Sequence, residues 1–303
     1  MGDGLAAFRR VGASAITCGV LPKRIGSRPV RKRMPFTPID EKTTLLWGSI
    51  TFLKCSMTII NGQQVDLPLG FSFSSCFFQP NRQDLQRFQN AGLPLPERLQ
   101  AAVLKRQVEF LAGRYCATEA LKALGYEGEP VVGSQADRSP AWPSGWLGSI
   151  SHSSDCAVAL VAHRQQALGI GVDVESVLPP ADVETISDMI LHGSERDLLA
   201  SQGYSPEQLL TVVFSIKESL YKALNQLGIK ELDFKSACVQ RVSPDGGFAA
   251  ILANGVALPL QVPRLLTGRF ILNGARVVSL LWIPKVTTVV ERQPARSSRC
   301  VLT

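Results

Sequence analysis

Residues 169–177, GIGVDVESV, place two carboxylates within a run of strand-forming residues. Apolar side chains alternate with Asp173 and Glu175, and alternate side chains of a β-strand point to the same face. The run therefore predicts a strand with one apolar face and one face that carries two neighbouring negative charges. Because like charges repel, the pattern predicts either a bound cation at this face or exposure of both acids to solvent.

The chain around this run predicts an α+β fold with two similar halves. Residues 95–125 predict a long helix, because apolar side chains recur at helical spacing and Gly125 suits its C-terminal end. Residues 147–163 and 168–175 predict neighbouring strands, and residues 182–227 predict helices. The last stretch, ending at VVSLLWIP, predicts further strands. This order of elements indicates two α+β units.

Two helix starts are predicted inside residues 182–227. Ser194 and Asp197 have the spacing of a capping box, and Pro206 suits the first turn of another helix. Within that second helix, the segment FSIKESLYKAL places Glu218 and Lys222 four residues apart on one face. Taken alone, these two residues predict a surface ion pair, which is common and weak.

Glu218 adds a third carboxylate to the two strand acids, and it comes from a different rigid element. Three oxygen ligands suit a hard divalent cation such as Mg²⁺, which keeps several waters and also binds substrate phosphates. A dication would remove the repulsion between Asp173 and Glu175. A solvated strand face explains the same spacing, so both interpretations remain open.

His152 lies among small hydroxyl residues in GSISHS, residues 148–153. The three serines of this run are donors that could bind a phosphate together with a cationic imidazole. A lone histidine is more often structural than functional, and the other two histidines have no such surroundings. His152 is therefore a candidate for anion binding.

The segments GSISHS, GIGVDVE and FSIKESLYKAL, in this order, resemble the 4′-phosphopantetheinyl transferases, in particular the group similar to enterobactin synthetase component D and Sfp. KRQVEFLAGR and RSPAWP extend the resemblance to residues 57–285. Members of this family transfer the phosphopantetheine arm of coenzyme A to a serine of an acyl or peptidyl carrier protein and release adenosine 3′,5′-bisphosphate. The resemblance implies the same reaction here, in fatty-acid, siderophore or other secondary-metabolite biosynthesis, with coenzyme A and an apo carrier protein as partners.

The resemblance also assigns roles to individual residues. It makes Asp173, Glu175 and Glu218 the Mg²⁺ ligands, and Glu218 also the base that takes the proton from the carrier serine. Lys222 would stabilise the phosphate under attack. Coenzyme A would be held by Ser151 and His152 at its 3′-phosphate, by Arg138 in the nucleotide pocket, and by Arg106 and Arg114 on the predicted long helix.

The fold implied by the resemblance is a pseudo-dimer of two similar α+β halves with the active site between them. Residues 57–168 are expected to form the N-terminal half, which binds the coenzyme A phosphates, and residues 169–285 the C-terminal half, which carries the metal and catalytic residues. Residues 1–56 are expected to be a disordered basic extension, and residues 286–303 a disordered tail. The internal pairing of halves favours a monomer.

The net charge of +7 invites a nucleic-acid or membrane interpretation, but its location argues against one. Residues 1–34 hold eight basic side chains and one acid, so the remaining 24 basic and 24 acidic groups balance. No apolar run reaches the roughly 18 residues that a transmembrane helix needs. Nucleic acid and membrane are therefore not expected as partners of the folded part.

Seven cysteines without a CxxC pair argue against both a zinc site and a disulfide framework, and they fit a reducing cytoplasm. Two alternative functions remain open. The chain could be a catalytically degenerate protein that holds coenzyme A, or a basic-tailed adaptor for nucleic acid. It could also be a Mg²⁺-dependent phosphohydrolase that uses the same acids with water as the nucleophile.

Overall fold

A computed structural model describes residues 55–60, 63–129 and 131–285 of the chain. Most of the predicted basic extension and the predicted C-terminal tail lie outside the described residues. The first strand begins at Cys55, so its first two residues fall within the predicted extension of residues 1–56. In chain order the elements are β1 (Cys55–Ile60), β2 (Gln63–Pro68), β3 (Phe71–Phe77), α1 (Arg82–Asn90), α2 (Glu97–Gln100), α3 (Leu104–Ala123), β4 (Gly133–Ser134), β5 (Pro140–Ala141), β6 (Trp146–His152), β7 (Cys156–His163), β8 (Ala167–Ser176), α4 (Pro180–Ile190), α5 (Gly193–Ala200), α6 (Pro206–Asn225), β9 (Ala237–Val242), β10 (Gly247–Leu252), β11 (Leu265–Asn273) and β12 (Arg276–Pro284).

The earlier part of the chain is built around an antiparallel sheet of three strands in the order β3-β7-β6. The helix α3, 20 residues long, covers one face of this sheet. Its contact face is apolar at Val108, Leu111 and Leu121, which are fully buried in one core with residues of β7. Burial of this face, and not helix propensity alone, holds α3 in place.

The later part of the chain is built around a second antiparallel sheet of five strands, in the order β8-β12-β11-β10-β9. The helix α6, also 20 residues long, packs on β8 and β12. A separate core lies between the two sheets, where Ile170, Val172 and Val174 of β8 pack with Val158 and Leu160 of β7. These three β8 residues form the apolar face that the alternation in GIGVDVE predicts. The helices and antiparallel sheets of the chain confirm the α+β fold class.

The predicted helix over residues 95–125 is interrupted between α2 and α3. Gln107 explains the break, because its side-chain amide donates to the carbonyl oxygens of Leu99, Gln100 and Ala102 at 2.9 to 3.0 Å. These carbonyls lie at the end of α2 or just after it, where helix carbonyls run out of intrahelical donors, and that of Leu99 also accepts from the N–H of Ala102 at 3.0 Å. The interruption therefore has a local hydrogen-bonding cause.

The predicted capping box at Ser194 and Asp197 is wrong. Ser194 Oγ lies 3.5 Å from Cys238 Sγ instead of serving as a cap. A complete capping box stands at the start of α6, where Ser205 and Gln208 bond reciprocally and Pro206 opens the helix as predicted.

Within the described part of the chain, none of the helices combines the length and apolarity that crossing a bilayer requires.

Candidate active site

At the candidate site, helix α6 lies unusually close to strand β8, and two glycines permit this approach. A Cβ atom on Gly171 would lie 1.7 Å from the carbonyl oxygen of Ser219, and one on Gly169 would lie 2.4 Å from that of Ala223. Both contacts are with helix backbone, which cannot move aside as a flexible side chain can. The absence of side chains at these positions therefore lets α6 lie directly on the acidic face of β8.

Asp173 lies under this helix and is fully buried, which excludes the solvated strand face that its spacing left open. Its Oδ1 accepts hydrogen bonds from Lys222 Nζ at 2.7 Å and from Ser151 Oγ at 2.8 Å. Lys222 Nζ also donates to Ser151 Oγ at 2.9 Å and to the carbonyl oxygen of Val172 at 3.2 Å. The Glu218–Lys222 ion pair predicted from spacing alone is thus replaced by one between Lys222 and Asp173.

Two further carboxylates, those of Glu218 and Glu175, lie in this region, and both have raised pKa values. Burial, followed by the charge of Asp173, raises the pKa of Glu218 to about 7. The same two causes, in the same order, raise the pKa of Glu175 well above its ordinary value. Oδ2 of Asp173 and Oε1 of Glu175 are buried without a hydrogen-bond partner. The cluster therefore has more negative charge than Lys222 alone compensates, and two oxygens with unused bonding capacity.

A basic cleft adjoins the carboxylates. It has a volume of about 80 Å³, and its lining includes the predicted phosphate-binding residues Arg106, Arg114, Arg138, Ser151 and His152. Ser151 belongs to both parts of the site, since its hydroxyl bonds to Lys222 and Asp173. The structure thus places the basic cleft next to Asp173, through Ser151.

His152 is not the cationic imidazole that the sequence predicts. Burial, followed by the positive charges of Arg106 and Lys222, lowers the pKa of His152 to about 3. Its Nε2 lies 3.2 Å from Nη1 of Arg106. His152 is therefore neutral at neutral pH and can accept a hydrogen bond from Arg106, which carries the charge. Ser149 does not line the cleft; its Oγ instead accepts from the backbone N–H of Val172 at 3.0 Å.

Arg114 is buried, with the plane of its guanidinium near an aromatic ring. Its Nη2 donates to Gly133 O at 3.1 Å and to Ser134 Oγ at 3.3 Å, and its Cζ lies 4.5 Å from the ring centroid of Phe110. Burial and the neighbouring arginines lower the pKa of Arg114 to about 10, which leaves it charged at neutral pH. Its Nε is buried without a partner, so one donor of this side chain is still unused.

Arg98 is a member of this site that the sequence prediction missed. It lines the basic cleft and an adjoining cavity of about 220 Å³, and it donates to Ser134 Oγ at 2.9 Å. The signal was present in the sequence, since Arg98, Arg106 and Arg114 follow one another at intervals of eight residues. Arg138 joins the group from a loop, in a left-handed backbone conformation with φ of 69°.

A second cluster of metal-type side chains lies outside this cleft. The ligand-type atoms of His192, Glu195 and Cys238 all lie within 4.8 Å of one another. Glu195 is nevertheless fully engaged, because it accepts from Lys217 Nζ at 2.9 Å and from the N–H groups of His192 and Val239 at 2.7 Å. The buried ammonium group of Lys217 would repel a metal cation here. Glu195 therefore forms a buried ion pair with Lys217 and is not a metal ligand.

The fold and the site together define an α+β protein in which a carboxylate cluster adjoins a cationic cleft. The sequence profile described as the 4′-phosphopantetheinyl transferase N-terminal domain matches residues 95–162, and that of the 4′-phosphopantetheinyl transferase superfamily matches residues 169–259. The chain belongs to the 4′-phosphopantetheinyl transferase superfamily.

Three relatives illustrate the similarity. Enterobactin synthase component D of Salmonella typhi is 36% identical over 133 residues, which cover 44% of this chain and 54% of that protein. The protein of the same name from Escherichia coli strain K12 is 38% identical over 131 residues, which cover 43% and 61%. The 4′-phosphopantetheinyl transferase Npt of Nocardia iowensis is 34% identical over 156 residues, which cover 50% and 68%. The match thus spans little more than half the length of the enterobactin synthase components.

Proposed function

We propose that this chain transfers the 4′-phosphopantetheine group of coenzyme A to a serine of an acyl or peptidyl carrier protein and releases adenosine 3′,5′-bisphosphate. One observation carries the proposal: in a member of this superfamily, a cationic cleft and a cluster of three carboxylates meet at Ser151 and Lys222. A polyanionic substrate needs the cationic cleft, and proton transfer together with cation binding needs the carboxylates.

Three arginines supply the positive charge for the coenzyme A phosphates. Arg106 and Arg138 line the cleft, and their guanidinium groups can each bind phosphate through two parallel hydrogen bonds. Arg114 also lines this cleft, and its buried Nε is a donor without a partner. Ser151 and His152 complete the proposed 3′-phosphate site. His152 is neutral there, so its contribution is to orient Arg106 and to donate or accept one hydrogen bond.

Asp173, Glu175 and Glu218 are proposed to hold Mg²⁺ after a movement of their side chains, because in the structure their carboxylate oxygens do not all lie within 4.8 Å of one another. The proposal rests on two buried carboxylate oxygens without partners and on two acids whose pKa values are raised by burial and by the charge of Asp173. Hard oxygen donors of this kind are the protein ligands that Mg²⁺ prefers. When bound, Mg²⁺ would neutralise negative charge on the pyrophosphate oxygens of coenzyme A.

Glu218 is the proposed base of the reaction. Before a cation binds, its pKa is about 7, so its carboxylate can accept a proton near neutral pH, which is the range where a general base is most effective. Bound Mg²⁺ would lower this pKa. It would take the hydroxyl proton of the carrier serine as the serine oxygen attacks the phosphorus next to the pantetheine arm. The bond from that phosphorus to the bridging oxygen then breaks, and adenosine 3′,5′-bisphosphate leaves.

Lys222 is proposed to stabilise the charge that develops in this step. Its ammonium group already lies at the junction of the two parts of the site, where it contacts Asp173 and Ser151. A shift of this flexible side chain from Asp173 to a phosphate oxygen would place a positive charge on the group under attack. The lysine is thus available to the substrate without a rearrangement of the backbone.

We also propose that residues 57–168 and 169–285 act as two halves with separate tasks, the first for nucleotide binding and the second for the metal and the proton. Arg106, Arg138 and His152 lie in the first range, and the three carboxylates lie in the second. A monomer provides both halves of such a site.

Four free cysteines among the described residues accord with the reducing cytoplasm in which we place the reaction.

The acceptor is proposed to be a carrier protein of siderophore or other secondary-metabolite biosynthesis, on the similarity to enterobactin synthase component D. Fatty-acid carrier proteins are the other class to be tested. Purified apo carriers of both classes are incubated with the full chain, coenzyme A and Mg²⁺, and the intact carrier mass is measured. The proposal predicts a mass gain of one phosphopantetheine group that EDTA abolishes and added Mg²⁺ restores.

Glu218→Gln tests the role of the base in the same assay. The variant should lose transfer by at least about 100-fold, the lower range for removal of a general base, and should still bind coenzyme A in calorimetry. Glu207→Gln, at the exposed first turn of the same helix, serves as the matched control and should keep wild-type activity. Near-normal transfer by Glu218→Gln would exclude the assigned role, and coenzyme A binding without transfer to any carrier would favour a degenerate binding protein.

A further inference from the structure

Cys76 and Cys116 form a close pair of thiols outside the active site. Cys76 lies near the end of β3, and Cys116 lies in the second half of α3, 40 residues further along the chain. Their sulfur atoms are 3.4 Å apart, and the Cys116 thiol donates a hydrogen bond to Cys76 Sγ. A disulfide requires a sulfur separation of about 2.05 Å, so the two sulfurs would have to approach by about 1.4 Å. Rotation of the two side chains can supply much of a movement of this size.

The two cysteines differ in surroundings. Cys116 is fully buried, and its Sγ also lies 3.3 Å from the carbonyl oxygen of Ala157. Cys76 is partly exposed, on the edge strand of the three-stranded sheet. Small reagents in solvent can therefore reach Cys76 first, while Cys116 is accessible mainly to the sulfur of Cys76.

Local electrostatics favour the thiolate form of Cys76. The hydrogen bond from Cys116 and, more weakly, the positive charge of Arg87 lower the pKa of the Cys76 thiol, although burial and Asp84 oppose them. Burial raises the pKa of Cys156 to about 11 and raises that of Cys238 as well. Among the four cysteines whose side chains the structure describes, Cys76 thus has the most favourable conditions for reaction as a nucleophile.

We propose that Cys76 and Cys116 are a redox-active dithiol, in which a peroxide oxidises Cys76 and Cys116 then closes an intramolecular disulfide. The Cys76 thiolate attacks one oxygen of hydrogen peroxide, the O–O bond breaks, and the departing hydroxide is protonated to water, which leaves a sulfenic acid on Cys76. The Cys116 sulfur then attacks the Cys76 sulfur, the S–O bond breaks, and a second water leaves. The two thiols lose two electrons and two protons in total, and the peroxide is reduced to two waters.

The bond would join the edge strand β3 to the middle of α3. That helix also carries Arg106 and Arg114 of the basic cleft, and Cys116 follows Arg114 by two residues. Oxidation would therefore add a covalent restraint to the element that positions two of the arginines. The proposal itself concerns the thiol chemistry alone and does not depend on the transfer activity.

The test uses the full chain, reduced, freed of reductant and treated with a small excess of hydrogen peroxide. Remaining thiols are blocked, the protein is digested without reductant, and the peptides are analysed by mass spectrometry. A peptide pair joined through Cys76 and Cys116, lighter than the sum of the two peptides by two hydrogen atoms, is expected. It should disappear after dithiothreitol. Peptides in which both cysteines remain as blocked thiols, at peroxide levels that oxidise free cysteine, would overturn the proposal.

Substitutions resolve the order of the two steps. In Cys116→Ser, the sulfenic acid on Cys76 has no resolving thiol and should be trapped by dimedone, whereas Cys76→Ser should leave Cys116 unlabelled. Cys238→Ser, a buried cysteine in the other sheet, is the matched control and should form the crosslink in wild-type yield. Dimedone on Cys116 instead of Cys76 would contradict the assigned order. The wild-type crosslink needs no variant, so failure of Cys116→Ser to fold would leave the main test intact.

Discussion

The two carboxylate oxygens of Asp173 have different surroundings. Its Oδ1 is bonded to Lys222 and Ser151, whereas its Oδ2 is buried and has no partner. The Glu195–Lys217 pair is the opposite case, because every bond that the buried charges need is made inside the protein. Unused capacity at a buried carboxylate indicates a place for a ligand, and a fully satisfied pair indicates a structural role.

Removal of one member of the satisfied pair should be costly. Lys217→Met is expected to lower the free energy of unfolding by about 3 to 5 kcal/mol, because Glu195 would be left as an uncompensated buried charge. Urea denaturation measures the change. Lys230→Met removes an exposed ion pair with Asp137 and should leave the free energy of unfolding nearly unchanged. A loss at Lys217 no larger than the loss at Lys230 would contradict the structural role.

His152 should make the stability of the protein depend on pH. Its pKa is about 3 in the folded state and about 6.5 when unfolded, so the unfolded chain binds the extra proton below pH 6.5. Its contribution is fully present above pH 6.5 and is lost as the pH falls towards 3, with a slope of at most about 1.4 kcal/mol per pH unit. A His152→Gln variant should lack this part of the slope in urea denaturation between pH 7.5 and 5.

Nuclear magnetic resonance of the imidazole checks the same prediction directly. The His152 resonances should stay constant between pH 8 and 5 in the folded protein and should titrate near 6.5 in urea. A folded-state midpoint near 6.5 would show that His152 can be cationic at neutral pH, as the sequence suggested.

At the scale of elements, β8 and α6 act as a unit. The strand supplies acids on the face towards the helix, and the helix supplies Glu218 and Lys222 at helical spacing. Ser205 and Gln208 cap the start of α6. At its other end, the side chain of Gln226 donates to Gly148 O in β6 and Ile170 O in β8 at 3.0 and 2.8 Å. The helix is thereby attached to strands of both sheets.

Gly171→Ala should disrupt this unit. The added Cβ would meet the carbonyl oxygen of Ser219, so α6 would have to move away from β8 and from Asp173. We expect a loss of about 3 kcal/mol or more in the free energy of unfolding, at the upper end for overpacking, together with loss of transfer activity. Gly193→Ala is the control, because a Cβ there meets nothing within 4 Å, and its stability should be unchanged or higher by up to about 1 kcal/mol. Equal effects of the two substitutions would argue against the close approach.

At the scale of the whole molecule, the two sheets are joined by a common apolar core. Residues of β7, β8 and β12 contribute to it, and so do Val65 and Leu67 of β2. This core holds β6 and β8 side by side, which places the basic cleft next to Asp173. The hydroxyl of Ser151 then reaches Asp173 across the junction of the sheets.

Deletion of residues 1–54 should leave carrier modification and the thermal unfolding midpoint unchanged, since β1 and all residues of the described cores follow this segment. Deletion through residue 68 should lower the midpoint strongly, because it also removes Val65 and Leu67 from the buried core. Both are measured by thermal denaturation and by the carrier mass assay. A large loss of activity from the shorter deletion would show that the basic extension takes part in function.

Local pattern was sufficient for several features. Alternation in GIGVDVE predicted the apolar and acidic faces of β8, and the i, i+4 spacing in FSIKESLYKAL placed Glu218 and Lys222 on one side of α6, since both periods depend only on backbone geometry. The ordered motifs also led to the superfamily. The assigned roles of the site residues stay predictions until the experiments above are done.

Tertiary structure decided what those residues face. Burial made His152 neutral. Packing of the elements against one another bonded Ser149 to the backbone of β8, paired Lys222 with Asp173, and placed Cys76 beside Cys116. Sequence spacing specifies the direction of a side chain relative to its own helix or strand, but desolvation and partner distances depend on other elements, which the chain brings together only on folding.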